Sequence, residues 1–135
     1  MNNQLWQEKL RLVKLRPTRH RLALAELLFR HGHRHVTAEK LHAEALGQGM
    51  RISVATIYNT LHQFVDAGLL REVAIRGEKS FFDTNTSDHY HFLFEKEGRL
   101  LDIPAQGFGI RNFPAVPDGH CITRIDVLVH VKRRR

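Results

Sequence analysis

Two histidines stand one residue apart at His89-Tyr90-His91, with Asp83 and Asp88 before them and Asp102 after them. On a strand, residues i and i+2 share a face, so both imidazoles would project the same way. Imidazole nitrogens and carboxylate oxygens are the donors that hold zinc, iron or manganese, and a divalent metal ion is the chemistry this pattern suits. His31, His33 and His35 also alternate, around Gly32, and read either as a second cluster or as an exposed polar turn. The chain holds 10 histidines, where ordinary composition would supply about three. Nucleophile and phosphate-cradling motifs are missing: there is no GxSxG, no HExxH and no glycine-rich phosphate loop. Ser80 and Cys121 have no neighbour in sequence that would activate them. The histidines and carboxylates therefore point to binding rather than catalysis, with a metal-dependent hydrolase as the enzymatic alternative.

These donors must be positioned by a small chain. Its 135 residues suit one domain or two very small ones. Hydrophobic residues make up 42%, enough for packed cores. The single cysteine excludes an intramolecular disulfide and any CxxC zinc knuckle. No apolar run approaches the roughly 18 residues of a membrane span. The first residues also lack the basic-then-apolar pattern of a signal peptide. A cytoplasmic protein with no membrane partner is expected. The net charge of +7 favours a polyanionic partner, with nucleic acid the usual one. The terminal run Lys132-Arg133-Arg134-Arg135 is either a solvated tail or an extra phosphate contact.

Before about residue 75 apolar residues recur at helical spacing; after it, short alternating runs sit between turn residues. Leu5, Leu10, Leu12 and Val13 predict a short first helix ending before Arg16. Thr18 would cap a second helix striped with Leu24, Leu27 and Leu28 and ended by Gly32. Thr37 would cap a third, with Glu39 in its first turn and Leu41 and Ala45 on its apolar side. Ser53 would cap a fourth running to about Ala67, with Gly68 suited to a left-handed stop. Val54, Ile57, Leu61, Phe64 and Val65 share one face of that helix. Ala55, Thr56, Asn59, His62, Gln63 and Asp66 share the other. Strands at 70–75 and 79–83, joined by a tight turn at Arg76-Gly77, would follow. Helices followed by a hairpin make a winged helix, and short hydrogen-bonding side chains on the fourth helix suit entry into the major groove. Further on, 89–94, 100–103 and 122–131 read as strands, while prolines and glycines over 104–117 leave any helix there short or broken. So small a three-stranded sheet should pair with a copy of itself, and a homodimer would match palindromic DNA half-sites.

The stretch from His35 to Glu39, the run Ser53-Val54-Ala55-Thr56-Ile57-Tyr58-Asn59-Thr60-Leu61, and Lys79 to Asp83 followed by Asp88-His89-Tyr90-His91 resemble the ferric uptake regulator (Fur) family. The similarity extends from about Leu15 to the C-terminus. Phe82 to Asn85, Leu101 to Ile103, Val116 to Gly119 and Arg124 to Asp126 with the basic tail look closest to its iron response regulator (Irr) branch. The resemblance implies an α+β protein: a winged-helix DNA-binding domain over 1–83, a hinge at 84–88, and a small α/β dimerisation and sensing domain with a three-stranded sheet over 89–135.

It further implies a metal site of His35, Asp83, His91 and Asp102, taking Fe2+ or Mn2+ in the cell and accepting Zn2+. The family usually has glutamate at both carboxylate positions, and aspartate reaches one methylene less. The family's HHDH motif reads Asp88-His89-Tyr90-His91, with tyrosine in place of the aspartate that serves a second site. No equivalents of that site's remaining ligands stand near Phe108 or Lys132, so it is expected to be absent. A structural CxxC zinc is likewise not expected, since Glu95-Lys96-Glu97-Gly98 occupies its place. Resemblance to the Irr branch implies haem as a second candidate effector, with His89 and His91 as its ligands. A Cys-Pro haem motif is missing, because Ile122 follows Cys121.

For DNA, the resemblance implies Tyr58 near a thymine or phosphate and Arg16 at an A·T-rich minor groove. Asn59 stands where the family often has arginine and suits bidentate reading of adenine. Ser53, Thr56 and Gln63 complete the expected DNA-facing set. The implied protein is an iron-responsive, metal- or haem-sensing dimeric repressor-type regulator of A·T-rich palindromic operators, not an enzyme. A winged-helix regulator without metal sensing is its nearest rival.

Overall fold

The computed structural model describes residues 3–75 and 79–135. Its chain divides into two compact units, Met1–Thr86 and Ser87–Arg135. The first contains helices α1 (Asn3–Leu12) and α2 (Arg19–Phe29), strand β1 (His35–Val36), helices α3 (Ala38–Gly47) and α4 (Val54–Asp66), and strands β2 (Arg71–Val73) and β3 (Phe81–Asp83). The second contains strands β4 (His91–Phe94), β5 (Arg99–Asp102) and β6 (Leu128–Val131). This is the expected α+β class, a winged helix followed by a small unit built on a three-stranded sheet, in which no helix is found among the described residues.

Three helices begin where a hydroxyl can take a free backbone N–H. Thr18 accepts from Arg21 N, Thr37 from Lys40 N and Ser53 from Thr56 N. Each cap is worth about 1 kcal/mol. Helix α4 is capped by Ala67 and followed by Gly68, whose φ of +83° is a left-handed turn that a side chain would strain. Its buried face is Ile57, Thr60, Leu61 and Phe64. Thr60 lies inside despite its hydroxyl because Oγ1 donates to the Thr56 carbonyl at 2.9 Å. Ile57, Leu61 and Phe64 join Leu24, Leu28, Val36, Leu41, Ala45 and Phe82 in one core.

Helix α1 forms as expected, and Leu10 of the residues that predicted it is buried. Trp6 and Leu10 are inside, while Leu5 and Leu12 are 50% and 79% exposed. Trp6 and Leu10 are four apart and so lie on one helix face. The indole packs on Phe29 and donates to Glu26, giving its large surface and its polar N–H a partner each.

The first sheet runs β1-β3-β2, antiparallel throughout, with His35 opposite Asp83 and Arg71 also opposite Asp83. The turn expected at Arg76-Gly77 lies outside the described residues. The second sheet runs β5-β4-β6, with β4 antiparallel to β5 and parallel to β6. Gly98, at φ +64°, closes the β4–β5 turn by donating to the Phe94 carbonyl. The last strand begins at Leu128, not near Ile122. Its partner β4 begins at His91, so the ladder starts at Leu128, with the Val127 carbonyl accepting from His91 N just ahead of it and residues 122–126 preceding the paired segment. Residues 104–117 contain no helix. No described helix is long and apolar enough to cross a membrane.

Candidate functional site

Register decides which donors meet. In the second unit His91 and Asp102 are direct cross-strand partners, as are Leu93 and Leu100. Partners across an antiparallel pair share a face, so His91 sits beside Asp102 on the face that also buries Leu93 and Leu100. Residues His91↔Leu128 continue the pairing on the other side, and His91 N reaches the Val127 carbonyl at 3.3 Å. The His91 backbone is thus held from both neighbours, and its side chain is 5% exposed.

His89 lies just before the strand rather than on it, yet joins the same group. Its Nδ1 sits 2.7 Å from the Ser87 carbonyl. A carbonyl can only accept, so Nδ1 is the donor, and in the neutral ring Nε2 is the nitrogen that can bind a ligand. Nε2 of His91 lies 3.4 Å and Nε2 of His89 3.7 Å from the same Asp102 Oδ1. The ligand atoms of the three residues lie within 4.8 Å of one another. These separations are long for hydrogen bonds. They match the edge of a tetrahedron whose centre is bonded at about 2.1 Å, which is roughly 3.4 Å. The donor set therefore fits a small divalent ion.

Haem bonded by both histidines fits poorly. The macrocycle would have to lie between the two rings, which meet edge-on with centroids 4.6 Å apart.

In the first unit His35 and Asp83 are brought opposite each other by β1 and β3. Asp83 is 1% exposed, and its Oδ1 accepts from Asn85 N at 2.9 Å. His35 meets the edge of Phe81 at 6.3 Å between centroids. Arg34, which sequence reading passed over, secures this pair from behind. Its backbone exchanges hydrogen bonds with Thr84 in both directions. Its guanidinium grips both Glu44 oxygens at 2.9 and 2.7 Å and reaches the Leu27 carbonyl. Those hydrogen bonds hold the Glu44 carboxyl below its usual range, against the opposing effect of burial. No local pattern could have flagged Arg34, because its partners lie seven, ten and fifty residues away.

The candidate nucleic-acid face is the outer side of α4. Ser53 and Thr56 are tied to each other, oxygen to oxygen, at 2.9 Å. Asn59 and Gln63 are exposed. Tyr58 is half-buried, with its ring edge-on to His62 and Phe82 at 5.6 and 6.0 Å. Its position is thereby fixed by the core while one side remains open. Arg16 is exposed, and its carbonyl accepts from Thr18 N at 2.8 Å. Arg21 was not among the expected residues, yet it contacts two of them: its guanidinium donates to Gln63 Oε1 and to the Arg16 carbonyl, each at 3.0 Å.

A helix with an open polar face, a β hairpin behind it, and a separate sheet bearing imidazoles and a carboxylate together define a winged-helix protein with a metal-type donor cluster. Residues 13–108 match the Ferric uptake regulator family, and the chain belongs to that family. It is 39% identical over 94 residues to the Peroxide-responsive repressor PerR of Staphylococcus epidermidis, covering 70% of this chain. The chain spans about 62% of that relative's length. Among solved structures, the ferric uptake regulator of Vibrio cholerae superposes with a TM-score of 0.74 at 23% identity, covering 94% of this chain and 98% of that one. The ferric uptake regulator of Pseudomonas aeruginosa, determined with manganese, does so at 0.72 and 19%, covering 97% and 99%. At such identities the two structures speak to the fold.

Proposed function

We propose that this chain is a metal-responsive transcriptional regulator that binds duplex DNA as a homodimer and has no catalytic activity. The observation that carries the reading is the convergence of two imidazole nitrogens on one Asp102 oxygen at tetrahedral-edge distances. Support comes from family membership and from the manganese reported with the Pseudomonas aeruginosa neighbour. DNA binding is supported by the exposed polar face of α4 and the net charge of +7. Helix α4 would occupy the major groove, with Ser53, Thr56, Tyr58 and Asn59 facing the duplex, and Arg16 would reach an A·T-rich minor groove.

Dimerisation is supported by the apolar side of the second sheet. Phe92, Phe94, Leu101 and Val131 line a cleft of about 450 Å³ there, and Leu101, Phe108, Ile110, Phe113, Val116 and Ile122 are each at least 37% exposed. A second copy is the occupant that family and symmetry favour.

Neither ligand set saturates a divalent ion alone. His35 and Asp83 on the first sheet supply two donors, and His91 and Asp102 on the second supply two more, with His89 beside them. One ion drawing on both sets would link reading head and pairing module, and its unequal affinity for the linked and unlinked forms would shift the population toward one. Fe2+ or Mn2+ suits the mixed nitrogen and oxygen donors. The Irr-like residues keep haem as an effector to be tested, and it would have to bind through one histidine alone. The staphylococcal relative is a peroxide-responsive repressor, which favours a second reading in which the metal-loaded protein responds to peroxide.

Gel shift on a short A·T-rich palindromic duplex separates these readings, using apo, manganese-loaded, haem-loaded and iron-loaded, peroxide-treated protein. Metal-dependent binding that His91→Ala abolishes is the expected result. Binding that ignores every effector would leave a winged-helix regulator without sensing. No binding to duplex at all would reopen the hydrolase alternative.

A further inference from the structure

Arg21 occupies the third position of α2, where its own N–H is held by the Thr18 hydroxyl at 3.3 Å. That cap fixes its backbone, and its side chain then forks. One guanidinium nitrogen donates to the carbonyl of Arg16, five residues back; the other donates to Gln63 Oε1 on α4, forty-two residues on. The two proposed points of DNA contact, the Arg16 arm and helix α4, are thus joined by a single side chain. Gln63 is correspondingly not a free base reader, because its carbonyl oxygen is engaged. We infer that Arg21 is a positioning residue for DNA recognition, whose fork sets the Arg16 arm against the recognition helix so that both grooves are engaged at once.

This rests on the DNA-binding reading above. The guanidinium fork is what makes the clamp possible. Its donors are planar and fixed in direction, whereas a lysine ammonium is a compact charge on a flexible stem that cannot hold both acceptors in the same geometry. A clamp and a plain phosphate contact therefore predict opposite results for lysine.

The test is fluorescence anisotropy of the manganese-loaded full chain with a short A·T-rich palindromic duplex over a salt series. The proteins are wild type, Arg21→Lys, Arg21→Met, Gln63→Met and the Arg21→Met, Gln63→Met pair. Both side chains are at the surface, so the fold survives their replacement. Each single variant is expected to bind about tenfold more weakly, lysine included, the scale of one lost charge-assisted hydrogen bond. The paired variant should be no weaker than either single one, because both remove the same link. The salt slope of Arg21→Met should stay at the wild-type value.

Three results would overturn the inference. Lysine could restore wild-type affinity, the two losses could multiply in the paired variant, or the slope for Arg21→Met could fall by about 0.9, the mark of one lost phosphate contact. Wild-type protein that binds no duplex would instead remove the DNA-binding reading itself, and the clamp with it.

Discussion

The two units solve the burial problem in different ways. The first closes on itself: α2, α3, α4 and the β1-β3-β2 sheet share one core, and Leu24, Leu28, Leu41, Ile57, Leu61, Phe64 and Phe82 are fully enclosed. In the second, Leu93 and Leu100 are the buried apolar residues among those described, while Leu101, Phe108, Ile110, Phe113, Val116 and Ile122 face outward. A three-stranded sheet has too little second layer to cover both faces. The first unit therefore owes its stability to its own packing, and the second leaves an apolar face exposed. The donors follow the same division. His35 and Asp83 are held by a packed sheet with Arg34 behind it, and His91 and Asp102 by the register of two short strands.

The contrast can be broken most forcefully in the first core. Phe64→Ala should cost about 3–5 kcal/mol of unfolding free energy, the toll of a large cavity in a core that cannot collapse. Urea denaturation measures it, and a loss below about 1 kcal/mol would mean the first unit is not the self-supporting one. Next in size, His91→Ala should weaken manganese binding by about a hundredfold, since one of few donors disappears. Calorimetry reads this, and unchanged heats would sink the metal centre.

A smaller effect is expected from Leu101→Asp. It should shift sedimentation toward monomer at micromolar concentration while the melting of the first unit stays put, because Leu101 is 47% exposed in the single chain. A variant that still sediments as wild type would deny the apolar sheet face its role.

The smallest effect belongs to the Arg34–Glu44 pair. Because the folded-state pKa of Glu44 is lowered from 4.5, the pair contributes stability above that value and loses it as pH falls through the lowered folded pKa. Glu44→Gln should therefore be about 1 kcal/mol less stable than wild type at neutral pH, a modest figure for a partly exposed pair. The difference should vanish in acid. A gap that persists there would assign the contribution to packing instead.

Much of the first unit was legible in the chain. Thr18, Thr37 and Ser53 were readable as caps because a cap closes over three residues. The face of α4 was readable from a 3.6-residue period. Which face of α1 is buried was not legible, since Trp6 goes inside while Leu5 and Leu12 stay out. The last strand came out shorter than expected because its length depended on its partner, as with residues 122–127. At the site, the candidate donors were visible by type, and His89 was noticed for its pairing with His91. Its attachment to the Ser87 carbonyl was not visible, nor was the occupation of Gln63 by Arg21.

Local chemistry alone determined the helices with their stops, the polar face of α4 and the stock of imidazoles and carboxylates. Those depend on neighbours within about one turn, where covalent connectivity already restricts the geometry. Tertiary structure alone decided that Asp102 stands opposite His91, that Asp83 stands opposite His35, and that Arg21 reaches Gln63. Each of these juxtapositions joins residues at least eleven positions apart. The distance between such residues is set by strand register and helix packing, and a shift of one residue would turn every donor to the opposite face.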